Sequence, residues 1–163
     1  MIGDSTQTQT PATKATKLYI VTACLALVGL ADSIYLTVQH VTGQSVRCTI
    51  VSGCSEVLSS PYASINGIPL ALIGAIAYFT VFSLATLAAF SYPLVDKLLV
   101  IVTGLMFLTT LWLIYLQAFV IRQFCQFCLL SAAVTILLTI IVAIASRRTI
   151  IHTGLQPGDS RLE

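Results

Sequence analysis

Charged side chains are scarce in this chain. Eight Lys and Arg with six Asp and Glu make up 9% of 163 residues, against about a quarter in an ordinary soluble domain, so a soluble globular protein is excluded. The net charge of +2 is too small to point to nucleic acid. No internal repeat is present, and no polar stretch is long enough to fold as a second soluble domain. The first apolar run has no small-residue cleavage site after a short apolar core, so it reads as a retained span and not a signal peptide. Ionisable residues almost vanish from the apolar runs, where Asp32 stands alone. A transporter or channel would normally place such groups on several spans.

What is abundant is apolar: 57% of the residues and a mean hydropathy of +0.96, the signature of an integral membrane protein. Residues 1–17 are rich in Thr, Gln, Ser and Ala without an apolar run, and are expected to form a disordered tail. Residues 18–146 hold four apolar runs, about 18–40, 68–90, 98–120 and 125–146. The first, at 1.5 Å per residue, is about 34 Å long and crosses a bilayer with some tilt. Pro69 falls where the second span starts, at a first-turn position that tolerates it. Ser91 to Lys97 and Ile121 to Phe124 read as turns, and 147–163 as a polar C-terminal tail. The predicted fold is an all-α, four-helix membrane bundle whose long loop, Val41 to Gly67, joins spans one and two and contains a short helix over Ser55–Ser60 with Val57 and Leu58 turned inward.

Four spans put both termini on one side. Lys14, Lys17, Lys97, Arg147, Arg148 and Arg161 fall on that side and only Arg47 and Arg122 on the other. The positive-inside rule then makes the termini cytoplasmic. The expected location is the cell (cytoplasmic or inner) membrane, multi-pass. Cys48 and Cys54 on the loop and Cys125 and Cys128 at the head of span four thus gather at the extracytoplasmic face, where disulfides persist. Cys24, nearer the cytoplasmic side, reads as a packing residue.

Cys125-Gln126-Phe127-Cys128 places two sulfurs side by side on the first turn of a helix, where unpaired amides and the helix dipole favour thiolate. The deeper Cys128 is expected to be the more reactive towards a membrane acceptor, although desolvation opposes its ionisation. A pair on an outer loop and a pair at a helix terminus permit a two-stage thiol–disulfide relay. The loop pair can meet a soluble protein; the helix pair can meet a two-electron acceptor dissolved in the bilayer, such as a quinone. Three alternatives stay open on the residues alone: a four-cysteine zinc site, a four-helix transporter, and an interaction protein with structural cysteines.

The order Cys48, Cys54, Ser59-Ser60-Pro61-Tyr62, Gly67-Ile68-Pro69-Leu70, Cys125-Gln126-Phe127-Cys128 resembles bacterial and archaeal members of the vitamin K epoxide reductase family over roughly Leu18 to Ser146. In DsbB-type oxidases the helical Cys-x-x-Cys precedes the loop pair, the reverse of the order here. The resemblance implies a four-helix bundle around a quinone, ubiquinone or menaquinone, with Cys48 and Cys54 as shuttle pair and Cys125 and Cys128 as active-site pair. It further implies that Cys48 receives electrons from the partner, Cys54 exchanges with Cys125, and Cys128 faces the quinone. Ser60 matches a serine near the ring, and Leu58 and Tyr62 match pocket-lining positions; on the residues alone Ser60 reads as a helix-end hydroxyl.

The chain departs from the family twice. Vertebrate members carry a tyrosine four residues after the second active-site cysteine, where this chain has Ala132, which counts against a vitamin K epoxide substrate. No thioredoxin-like domain is fused within the sequence, so the expected partner is a separate thioredoxin-fold, DsbA-like protein that inserts disulfides into secreted proteins. Asp32, about 12 Å from the outer end of span one, suggests either a hydrogen bond to a neighbouring helix or a proton relay.

Overall fold

The computed structural model describes residues 11–44, 46, 53–89 and 93–154. Cys48 lies outside the described residues. Helix α1 (Pro11–Val41) is followed by short α2 (Cys54–Leu58), a 3-10 turn (Pro61–Ala63) and a hairpin of β1 (Ser64–Ile65) and β2 (Ile68–Pro69). Then come α3 (Leu70–Ala89), α4 (Pro93–Tyr115) with a π-helical continuation Leu116–Ile121, and α5 (Gln126–Gly154). Four segments are long and apolar enough to cross a membrane, Thr16–Val41, Leu70–Ala89, Leu94–Ile121 and Gln126–Arg147. The protein is an all-α four-helix membrane bundle.

Several boundaries differ from those read in the sequence. Helix α1 starts at Pro11, so the last seven residues of the expected 1–17 tail are helical. Proline at a first helical position loses no hydrogen bond, and a span already formed propagates helix into a Thr- and Ala-rich flank with no new nucleation cost. For the same reason α5 runs through Arg147 and Arg148 to Gly154, into the expected C-terminal tail. Helix α4 starts at Pro93, inside the expected Ser91–Lys97 turn. Ile68 and Pro69 belong to β2 instead of the second span. They pair with Ile65 and Ser64 across Asn66 (φ 52°) and Gly67 (φ 81°). Two consecutive left-handed residues make the tight turn whose twist matches a hairpin, which is why Asn-Gly stands there.

The helices approach through small side chains: Ala26, Ala75, Ala85, Ala88, Ala132 and Ala145 are all buried, as membrane helix interfaces favour. The closest approach is at Gly29, where an added Cβ would fall inside the Tyr78 ring. Tyr78, 2% exposed, thus crosses from α3 past α1 to reach α5. Its hydroxyl donates to the Ser131 carbonyl at 2.9 Å and lies 2.8 and 2.9 Å from the Ser131 and Thr135 hydroxyls. At the other end, the Tyr19 hydroxyl donates to Asp96 Oδ1 at 2.9 Å and links α1 to α4. Ile76, Phe79, Leu105, Leu108 and Trp112 point outward, apolar surface that suits lipid. Trp112, Tyr115 and Phe119 stack in succession, with centroids 5.8 and 5.1 Å apart, as expected of an interfacial aromatic belt.

Tyr78→Phe should lower stability by about 0.5–2 kcal/mol, the value of a hydroxyl bonded to two helix partners inside a membrane. Gly29→Ala should cost more, because it displaces the ring and breaks the same bonds by overpacking, roughly 1–3 kcal/mol in its own right. Thermal unfolding in detergent reads both. A Gly29→Ala protein more stable than Tyr78→Phe would contradict this packing.

Candidate functional site

The site is built where the α4 ladder opens. From Leu116 to Ile121 the turns widen to π-helix, Arg122 takes a left-handed conformation (φ 55°), and the chain re-enters helix at Gln126. Cys125 is therefore the residue that caps α5 and not, as the sequence suggested, the first residue of the span. Its sulfur accepts the Cys128 backbone N–H at 3.4 Å, the side-chain cap of a helix N-terminus with sulfur in place of oxygen. Its own N–H, buried, donates to Gln117 Oε1 at 3.0 Å. Phe127 packs on Tyr35 of α1, with centroids 5.1 Å apart, which seats the first turn of α5.

Cys54 opens α2, is 1% exposed and is disulfide-bonded, whereas Cys125 and Cys128 are free thiols. Cys54 and Cys125 share one buried cluster with Val46 and Val57. Gly53 makes that approach possible: a Cβ there would stand 2.8 Å from Gln123 Cβ and 2.9 Å from the Phe124 carbonyl oxygen. The loop is thus pressed onto the segment just ahead of Cys125.

Cys128 packs against the edge of this cluster. It lies on the wall of a cavity of about 150 Å³, together with Leu58, Ser60, Tyr62, Gln117 and Ala132. The structure therefore brings together Cys128 and the three pocket residues expected from the sequence. Leu58 is half-buried, and Tyr62 stands at the rim, 50% exposed. The Ser60 hydroxyl donates to the Val57 carbonyl at 2.8 Å, so it closes the end of α2 while also lining the cavity. Ala132 leaves open the part of the wall that a larger side chain would occupy.

Cys125 lies one residue ahead of the fourth span, and its thiol is held at about 7, below its ordinary value. The Cys128 thiol hydrogen-bonded to it is the main cause; burial opposes the shift, and the Cys128 and Phe127 amides reinforce it. Thiolate character is thus favoured at Cys125. In the first turn of a helix the amides point back at the cap, so it is the capping sulfur that collects them.

Asp32 is 9% exposed, and among the described residues its Oδ2 is buried with no hydrogen-bond partner. Cys24 is exposed, in a groove with Tyr19 and Phe82, and is not the packed residue the sequence suggested. Two residues, Gly53 and Gln117, were not singled out in the sequence; the nearness of each to a cysteine was the sole available signal.

The site thus combines four spans, a free cysteine pair heading the fourth and a disulfide-bearing loop beside it. The profile of the vitamin K epoxide reductase family matches residues 20–143, and the chain belongs to that family. Over 57 residues it is 42% identical to the thiol-disulfide oxidoreductase LTO1 of Arabidopsis thaliana; the match covers 34% of this chain but 15% of the plant protein.

Two outcomes follow from this geometry. In a protein carrying Cys48→Ser and Cys128→Ser, a Cys54–Cys125 disulfide should form on mild oxidation, and adding Gly53→Ala should slow it by about tenfold or more, the rate equivalent of an overpacked contact. Non-reducing gel mobility measures it, and equal rates would show that Gly53 does not govern the approach. Thiolate absorbance of Cys125 should rise with pH around a midpoint near 7. Cys128→Ser, which keeps a donor, should leave that midpoint in place, and Cys128→Ala should move it up.

Proposed function

We propose that this protein is a quinone-dependent thiol–disulfide oxidoreductase that takes electrons from a reduced thioredoxin-fold partner and supports disulfide formation in secreted proteins. The observation that carries the reading is where the helix pair stands: Cys125 shares a buried cluster with the disulfide-bonded Cys54, and Cys128, packed against that cluster, also lines an apolar cavity. The pair adjoins the loop on one side and the cavity on the other. The six-to-two distribution of basic residues supports an extracytoplasmic position for both pairs.

The electron path is a series of exchanges. A thiolate of the partner attacks Cys48 of the loop disulfide and frees Cys54, and the partner's second thiol displaces Cys48, leaving the partner oxidised and the loop a dithiol. Cys54 then attacks Cys125 of an oxidised Cys125–Cys128 pair, Cys128 leaves as thiolate, and Cys48 closes on Cys54. The loop is again a disulfide and the helix pair a dithiol, which corresponds to the sulfur states of Cys54, Cys125 and Cys128 in the structure. Closing the Cys125–Cys128 disulfide releases two electrons and two protons.

A quinone, ubiquinone or menaquinone, supplies when bound a sink for those two electrons and two protons. The residues present fit such a ring. A cavity on this scale admits one six-membered ring, and its wall is apolar apart from a few convergent polar groups, among them Ser60 and Gln117. Leu58 and Tyr62 bound it on the loop side, and Cys128 lies on its wall. The lowered pKa of the Cys125 thiol favours its thiolate, the form that closes on Cys128.

The test is anaerobic mixing of purified protein with a reduced thioredoxin-fold protein and a soluble short-chain quinone, followed by quinol absorbance. Wild type should produce quinol. Cys48→Ala and Cys54→Ala should abolish the reaction with the protein donor and spare it with a small dithiol, whereas Cys128→Ala should stop both. No quinol from wild type with either donor would refute the reading, and loop variants as dead with the dithiol as helix variants would refute the serial order.

A further inference from the structure

Gln117 stands in the first turn of the π-helical segment, is 4% exposed, and belongs to the cavity wall. The two ends of its carboxamide have different fates. A backbone N–H can be accepted only by the carboxamide oxygen, so the 3.0 Å bond from Cys125 fixes Oε1 towards the head of α5. The NH2 group then points away from Cys125. Among the described residues it has no acceptor, yet it is not one of the fully buried atoms left without a partner, a condition that only Asp32 Oδ2 meets. Gln117 itself is part of the cavity lining. A donor that is nearly buried, held by its other end and carried on the wall of an apolar chamber calls for an acceptor on whatever fills that chamber.

We propose that the Gln117 NH2 group donates a hydrogen bond to a carbonyl oxygen of the ring bound in the cavity, and that this one side chain joins the ring to the backbone of Cys125. The inference rests on the quinone reading and names a specificity group within it. A ring with a carbonyl at this edge satisfies the donor; a hydrocarbon ring of the same size leaves it unpaired, and the site selects against it. The hydrogen bond also fixes which edge of the ring lies beside α5. Gln117 touches the acceptor by one end and positions Cys125 by the other, so each contact has its own substitution. Gln117→Glu keeps an oxygen for the Cys125 N–H and nearly the same shape, but its second oxygen donates only when protonated. Gln117→Met removes both contacts.

The experiment uses the full-length protein with the Cys125–Cys128 pair oxidised, so that no turnover occurs, and a short-chain quinone isotope-labelled at its carbonyls. Infrared difference spectra of the bound quinone should show one carbonyl band shifted to lower frequency than the other in wild type. In alkaline buffer Gln117→Glu should lose that shift and bind the quinone about tenfold more weakly. Lowering the pH through the carboxyl's titration should restore both; Gln117→Met should lack both at every pH. Cys125 thiolate absorbance in reduced Gln117→Glu checks that the amide contact survives. A Gln117→Glu protein that binds as tightly as wild type and keeps the band shift in alkaline buffer would overturn the proposal, as would a wild type that binds and reduces the quinone with unshifted carbonyls. Failure of wild type to bind or reduce any quinone would bring down the cavity reading and this one together.

Discussion

A buried backbone N–H that leaves the helical ladder has no water to turn to, and the redox end of this bundle depends on how one such group, that of Cys125, is satisfied. The chain must break between α4 and α5 to reverse direction, and the break falls at the residue that must also carry chemistry. Gln117 accepts the N–H from within the preceding helix. Cys125 can then cap α5 with its sulfur and collect the Cys128 amide. Without the first bond the cap has no fixed position, and the sulfur cannot be both buried against Cys54 and ionised near neutral pH.

The outer loop reads as the second half of the same construction. Gly53 lets it lie flat on the Gln123–Phe124 backbone, α2 turns Val57 inward and Leu58 and Ser60 to the cavity, and the Asn66–Gly67 turn returns the chain to α3. Each piece is short and stable only through what it rests on. Tyr78 does the equivalent below, joining three helices at a point where only glycine on α1 leaves room.

The spans and the order of the cysteines were legible because they are local. An apolar run of twenty-odd residues declares itself, and the spacing of Cys48, Cys54, Cys125 and Cys128 requires no knowledge of the fold. Helix ends were misjudged at Pro11 and past Arg148, since a polar flank reads as a tail until it is known to continue a formed helix. Leu58, Ser60 and Tyr62 were found by likeness of motif, not by any property visible in the residues themselves. Gly53 and Gln117 were not found, because one acts by the space left at a backbone oxygen seventy-one positions away and the other through a widened turn that no apolar pattern announces.

The π-helical turn at Leu116–Ile121 bears on how a gene for such a protein can change. An i→i+5 turn holds one residue more than an α turn, so losing a single codon there restores regular helix and rotates everything beyond it by about 100°. Gln117 and Cys125 would then come from different faces, although every residue of the cysteine motif was retained. Substitutions along the cavity wall alter one side chain at a time, whereas an in-frame deletion here resets the register of the whole active end.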